Sequence, residues 1–137
     1  MRQMKDKVFA DSNVLLYLLD KDDVKKAKAE EILFSNPVVS TQVVNENIHV
    51  AHKKFHLPKT EIFNHVENIF IKCHVKTVSP DSIQLACIIF DKYQYGYYDC
   101  LIIASAIEND CKILYSEDLQ HNQLIDKKLR IINPFVK

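Results

Sequence analysis

The alternation of short apolar runs with longer helical segments is the feature that most constrains how this chain can fold. Four runs predict strands, at residues 7–10, 38–39, 112–115 and 129–132. Segments of helical length separate these runs, and strands joined through helices pair in parallel. We therefore predict an α/β fold: a short central parallel sheet with helices on both faces. At 137 residues, the chain suits one domain spanning residues 1–137.

Helix start signals divide the segments between the predicted strands. Ser12 or Asn13 is placed to cap the first helix and Ser40 or Thr41 a later one, while Pro80 after Ser79 opens another. The predicted helices cover residues 12–19, 20–33, 41–55, 61–70, 80–89 and 98–109, and Pro37 stops the second of them. The stretch 71–78 has room for one more extended piece.

Composition narrows the class of protein. Hydrophobic residues make up 47% of the chain, which is typical of a globular protein, and the longest apolar run, residues 14–19, is too short to cross a bilayer. The charged start, residues 1–7, does not resemble a signal peptide, so we expect a soluble, cytoplasmic protein without a membrane partner. Eighteen basic residues balance eighteen acidic ones, which disfavours a non-specific nucleic-acid binder held by net charge.

Cysteine spacing excludes two kinds of site. Cys73, Cys87, Cys100 and Cys111 form no CxxC pair, and zinc sites and thioredoxin-like sites need such close pairs. We expect reduced, buried thiols instead.

Two acids stand where a parallel sheet binds ligands. Asp11 directly follows the first predicted strand, and Asp118 follows the third by three residues, through Ser116 and Glu117. Ligands of open parallel sheets sit outside the carboxyl ends of the strands. These two acids are therefore candidates for one site.

Two further acids depend on the helices that carry them. Asp99 lies in the first turn of a helix that is apolar nearly all round, where a carboxylate is costly unless it is capped, paired or bound to a cation. Asp99 could instead simply stabilise the helix N-terminus. Glu46 lies between Val43 and Val50 on a short apolar stripe, and the residues alone favour an ordinary solvated glutamate there.

Clustered carboxylates point to hard-cation chemistry. Several carboxylates brought together repel, and some take up protons unless a cation neutralises them. Mg²⁺ and Mn²⁺ prefer such oxygen ligands, and sites of this kind activate water for attack on a phosphodiester.

Four segments of the chain resemble the PIN-domain family, in the family's order. The segments are residues 9–17, 40–46, 97–106 and 114–119, and Asn133 and Pro134 resemble the end of bacterial members. The resemblance implies a Mg²⁺- or Mn²⁺-dependent endoribonuclease.

The resemblance also implies roles for individual residues and for partners. The first to fourth acids of the family match Asp11, Glu46, Asp99 and Asp118. Ser116 matches a small hydroxyl residue before the last acid, whose role Glu117 could share or replace. Many bacterial members resemble virulence-associated protein C, the toxin of a toxin–antitoxin pair, which acts on RNA, is usually dimeric and is inhibited by a small antitoxin protein.

Several alternatives stay open. His49, His52 and His56 share a helix face and could hold a transition metal, although a solvated polar face is favoured because no closing ligand is evident. The tyrosines at positions 93, 95, 97 and 98 could stack on RNA bases, but packing of the loop or a dimer or antitoxin surface is favoured.

Other classes of protein remain as alternatives to a nuclease. A dehalogenase-like phosphatase needs an aspartate where Asn13 stands, and a receiver module needs one after a middle strand, where residues 38–41 supply none. A PIN-like RNA- or protein-binding module without catalysis is the remaining alternative.

Overall fold

The computed structural model describes residues 6–136, so the first five residues and the last residue of the predicted domain lie outside the described part. The described residues form six α-helices and six strands. The helices are α1 (Ser12–Leu16), α2 (Asp23–Phe34), α3 (Thr41–Lys53), α4 (Lys59–Lys72), α5 (Pro80–Lys92) and α6 (Tyr97–Glu108). The strands are β1 (Val8–Ala10), β2 (Val38–Ser40), β3 (His74–Lys76), β4 (Ile113–Tyr115), β5 (Leu124–Ile125) and β6 (Leu129–Ile132).

The strands form one sheet in the order β3-β2-β1-β4-β6-β5. Every neighbouring pair is parallel except β5 and β6. Phe9 of β1 stands opposite both Val38 of β2 and Leu114 of β4, so β1 is central and its carboxyl end lies between those of its neighbours. The predicted α/β fold with a short, mostly parallel sheet is confirmed.

The antiparallel strand β5 is a departure from the prediction of a parallel sheet with four strands. It is two residues long, and the turn that returns the chain to β6 contains Asp126 and Lys127, both with positive φ (49° and 58°). Tight hairpin turns favour Asn-Gly, Asp-Gly or Gly-Gly at such positions. Asp126 fits the first position, but Lys127 stands where glycine is expected, so the hairpin signal in the sequence is incomplete. Strand β3 lies within the stretch 71–78, where the sequence has room for an extended piece.

The prediction for the first helix was wrong in two respects. Asp11, and not Ser12 or Asn13, is the N-cap of α1, because its carboxylate accepts from the Ser12 backbone N–H. The helix also stops at Leu16, and a 3-10 turn (Tyr17–Leu19) replaces its predicted second half. The caps predicted at Ser40 and at Ser79 with Pro80 are confirmed.

Helix α6 lies in the interior, as its apolar surface predicted. Seven consecutive residues, 100–106, are buried, and α6 packs against α5 and against strands β2 and β4. The sheet contributes completely buried side chains to the same core, among them Phe9, Val39, Leu114 and Ile131. The core therefore fixes the start of α6 beside the sheet.

The cysteines are all reduced, and one of them is not buried as expected. Cys73, Cys100 and Cys111 are buried, whereas Cys87 is exposed on α5. Within residues 6–136, no helix has both the length and the hydropathy to cross a membrane.

Candidate metal centre

Four acids from four parts of the fold line one cavity of about 290 Å³ at the carboxyl edge of the sheet. Asp11 follows β1, Glu46 comes from the second turn of α3, Asp99 from the first turn of α6, and Asp118 from the loop after β4. Other lining residues include Ser12, Asn13, Gln42, Lys54 and Tyr98. The cavity therefore brings together the four acids that the sequence singled out.

Asp11 is the most deeply buried and the most firmly held of the four. One oxygen accepts from the Ser12 backbone N–H at 2.7 Å, and the other accepts from the Ser116 hydroxyl at 2.9 Å. Burial raises the pKa of Asp11 to about 7, the hydrogen bonds from Ser116 and Ser12 oppose that rise, and the charges of Glu46 and Asp99 add to it. A cation in the cavity would favour the charged form of this carboxylate.

The side chains of Asp118 and Glu117 contact different groups. Asn13 donates to Asp118 Oδ2 at 3.0 Å, and its amide oxygen accepts from the Glu117 backbone N–H at 3.1 Å. The Glu117 carboxylate instead pairs with Lys25 at 2.9 Å and accepts from the Tyr17 hydroxyl. Asp118 thus lines the cavity, while Glu117 is engaged outside it.

Glu46 and Asp99 are half-buried, and both have a raised pKa. For Glu46 the largest cause is burial, and the charge of Asp99 adds to it, while Gln42 and Ser12 lie close enough to oppose the rise. Glu46 Oε1 itself is buried and has no hydrogen-bond partner among the described residues. Burial also raises the pKa of Asp99, with Asp118 as the second cause. Burial and neighbouring negative charge therefore disfavour the charged form of both carboxylates.

These side chains fit a hard cation that keeps water ligands better than a metal ion held by protein ligands alone. Within residues 6–136, no three His, Cys, Asp or Glu side chains are arranged to hold a metal ion by themselves. Mg²⁺ commonly keeps several waters and binds through only one or two carboxylates, so it does not need such an arrangement. In the described part of the chain, Glu46 has an oxygen without a hydrogen-bond partner, and three of the acids have raised pKa values. Both observations fit a bound cation, because a cation would neutralise these carboxylates.

The histidine face offers no comparable site. His49, His52 and His56 are exposed, and none of them lines the acidic cavity. Among the described residues, no group of three His, Cys, Asp or Glu side chains that includes these histidines could hold a metal ion.

The clustered tyrosines divide into structural and exposed members. Tyr93 donates to Asp126, and Tyr95 donates to Gln123, so both hold the β5–β6 hairpin. Tyr97 packs edge-on against Phe90. Tyr98 is 69% exposed and lines the cavity.

Sequence reasoning missed several residues around the acids. Gln42, Val50 and Lys54 line the cavity on the same face of α3 and its C-cap as the predicted Glu46, at four-residue spacing. That spacing was readable from the sequence and marks one helix face. Asn13 had no such signal, because its partners Glu117 and Asp118 lie more than 100 residues away.

A family model for the PIN domain matches residues 8–126, which include all four acids. This chain belongs to the PIN-domain family. No curated protein sequence matches it significantly.

Solved structures share this PIN fold at low sequence identity. A toxin–antitoxin complex from Klebsiella pneumoniae superposes with a TM-score of 0.70 at 17% identity, covering 94% of this chain and 98% of that one. VapC20 of Mycobacterium tuberculosis, described as a toxin that cleaves the sarcin–ricin loop, gives 0.60 at 19% identity, with 82% and 90% covered. VapBC2 of Rickettsia felis, solved with a promoter DNA fragment, gives 0.60 at 15% identity, with 90% and 96% covered. At these identities the likeness concerns the fold.

Proposed function

We propose that this PIN-domain protein is a Mg²⁺- or Mn²⁺-dependent endoribonuclease, the toxin of a toxin–antitoxin pair. Asp11, Glu46, Asp99 and Asp118 are its catalytic, metal-binding acids, and residues 1–137 form its one nuclease domain. The observation that carries the proposal is the convergence of these four acids on one cavity at the carboxyl edge of the sheet.

Each acid has a defined task in this proposal. Asp11 is held rigidly by Ser12 and Ser116, so it is the anchor of the cation site. Asn13 donates to Asp118 Oδ2 and so orients this acid. When bound, a divalent cation would stabilise charge on the phosphodiester and lower the pKa of an attacking water.

Two further acids and one lysine complete the cavity in this proposal. Burial raises the pKa of Glu46 and of Asp99, and a bound cation would favour the charged form of both carboxylates. Lys54 lies on the same cavity and supplies a local positive charge for an RNA phosphate in a chain of zero net charge.

The partners proposed are RNA, a small antitoxin and a second copy of the chain, with a cytoplasmic site of action. The toxin–antitoxin complex of similar fold supports the antitoxin. Exposed apolar side chains support partners that cover them. They lie on α4 (Phe63, Phe70 and Ile71) and on α5 (Ile83, Ile88 and Phe90).

An RNA- or protein-binding module without catalysis is the second candidate. It is favoured by one observation: no three carboxylates in residues 6–136 are arranged to hold an ion by themselves. A binding module would retain RNA without cutting it.

Cleavage of a mixed RNA pool separates the two candidates. We expect the purified protein to cut RNA with Mg²⁺ or Mn²⁺ and to stop when EDTA is added, and Asp11→Asn and Asp99→Asn to lose at least about a hundredfold in rate. Asp81→Asn is the matched control, because it removes an acid from the first turn of the neighbouring helix α5. Equal cleavage by the wild type and both cavity variants would overturn the assigned site, and binding without cleavage would favour the module.

A further inference from the structure

A second cavity, of about 520 Å³, adjoins the acidic one and is walled by different chemistry. The two cavities share Gln42, Glu46 and Tyr98. Beyond that shared wall the second cavity is lined by Thr41, Asn45, Val78 and Leu101. Its volume falls in the range of about 300–1,000 Å³ that is usual for small-molecule sites.

The walls of this second cavity are held in place before any ligand binds. Gln42 donates to the Tyr98 carbonyl oxygen at 3.1 Å, which ties the start of α6 to α3. Thr41 accepts from the Val78 backbone N–H at 3.2 Å, which ties the loop before α5 to the same helix. The slot between the Tyr98 side and the Val78 side is therefore preformed.

The lining chemistry selects a flat, uncharged ligand with polar edges. Val78, Leu101 and the exposed ring of Tyr98 provide apolar surface. The amide of Asn45 is exposed and makes no hydrogen bond within the described residues, so it is free to read a polar edge. The cavity has no Lys or Arg, and its Glu46 carboxylate repels a phosphate.

We propose that this cavity is a nucleobase subsite: it stacks one base of the RNA, next to the scissile phosphate, on Tyr98. The inference rests on the proposed nuclease function and adds to it the place where an unstacked base beside the cut would bind. Stacking of a base on an aromatic side chain contributes about 1–3 kcal/mol and tolerates different bases. The shared wall at Tyr98 and Glu46 fixes this base as an immediate neighbour of the cut.

A protein–RNA mutant cycle tests the subsite. Abasic substitutions are scanned across the nucleotides that flank the cut in one RNA, and cleavage rates are measured for the wild type, Tyr98→Ala and Tyr98→Phe. We expect one flanking position where the abasic RNA loses about tenfold with the wild type. On intact RNA, Tyr98→Ala should lose as much cleavage rate as the abasic change costs the wild type. On the abasic RNA, Tyr98→Ala should lose little more than that, and Tyr98→Phe should behave as the wild type.

Phe34→Ala is the matched control, since Phe34 is an aromatic on α2 with a similar exposure of 65%. It should leave the rates and the abasic pattern unchanged. If the loss in rate caused by Tyr98→Ala and the loss caused by the abasic change multiplied at every position, that result would overturn the subsite. So would a Tyr98→Ala variant with normal cleavage but a halved sedimentation mass, which would make Tyr98 part of an interface between copies.

Base binding can also be read without cleavage. In RNA that carries 2-aminopurine at successive positions, binding to the Asp99→Asn variant should quench fluorescence at one position, and Tyr98→Ala added to that variant should abolish the quenching. A wild type that cuts no RNA would defeat the proposed function, while this quenching would still support the subsite. Cleavage by the wild type without position-specific quenching would defeat the subsite alone.

Discussion

The loop after β4 shows how single side chains decide which acid faces the cavity. Glu117 and Asp118 are adjacent, and both are acids near a strand end, so their sequence positions do not distinguish them. Asn13 holds Asp118 on the cavity, and Lys25 holds Glu117 away from it. Position relative to a strand was predictable from the sequence, as it was for Asp11. The direction of a side chain was not, because it depends on contacts with distant residues.

The first residue-scale prediction separates these two acids. We expect Asp118→Asn to lower the RNA cleavage rate about tenfold or more, because it removes a carboxylate from the proposed cation site. Glu117→Gln removes an equal charge outside the cavity and should change the rate less than threefold, which is small beside the effects of about 10–100-fold seen for supports of metal ligands. Both rates are measured under single-turnover conditions. The reverse ranking would assign the fourth acid to Glu117.

A second residue-scale prediction concerns pH and stability. His65 is buried on α4 and hydrogen-bonds to Asn47 at 2.8 Å, and burial lowers its pKa to about 4. In the unfolded chain its pKa is about 6.5, so the folded state excludes a proton that the unfolded state binds below that pH. The stabilisation by neutral His65 is therefore complete above pH 6.5 and is lost as the pH falls towards 4.

Urea unfolding at several pH values measures this linkage. Between pH 7.5 and pH 5, the wild type should lose about 2 kcal/mol more stability than His65→Gln, which cannot titrate. His52→Gln, at an exposed position on α3, should lose stability as the wild type does. Parallel pH curves for the wild type and His65→Gln would show that His65 is not the titrating group.

At the scale of elements, strong patterns predicted structure and weak ones did not. Helix α6 was predictable because it is apolar all round, and the central strands because each is a short apolar run between helices. The β5–β6 hairpin was not, because β5 is two residues long and its turn carries no glycine. The 3-10 turn after α1 was also missed, since leucines continue through it without a break in the pattern.

The element-scale prediction concerns α6, which positions Asp99. Ile103 is completely buried in the middle of this helix. We expect Ile103→Ala to lower the free energy of unfolding by about 2–5 kcal/mol, because it leaves a cavity in the core. Val24→Ala, at an exposed position on α2, should cost less than about 1 kcal/mol. Similar losses for both variants in urea unfolding would contradict a core centred on α6.

At the scale of the whole molecule, the site depends on how the fold arranges several elements and not on any single element. The four acids come from a strand end, the first two turns of two helices and a loop, and the parallel sheet brings these parts to one edge. Three of the four have raised pKa values because the fold buries them close to other carboxylates. The central claim is therefore that these acids form one divalent-cation site.

Direct titration of Mn²⁺ tests this claim, with free Mn²⁺ followed by its electron paramagnetic resonance signal. The wild type should bind Mn²⁺ and release protons as it does so, because bound carboxylates must be charged. Asp11→Asn and Asp99→Asn should each weaken binding at least about tenfold, while Asp81→Asn should bind as the wild type does. Undiminished binding by both cavity variants, or no Mn²⁺ binding by the wild type, would contradict the account.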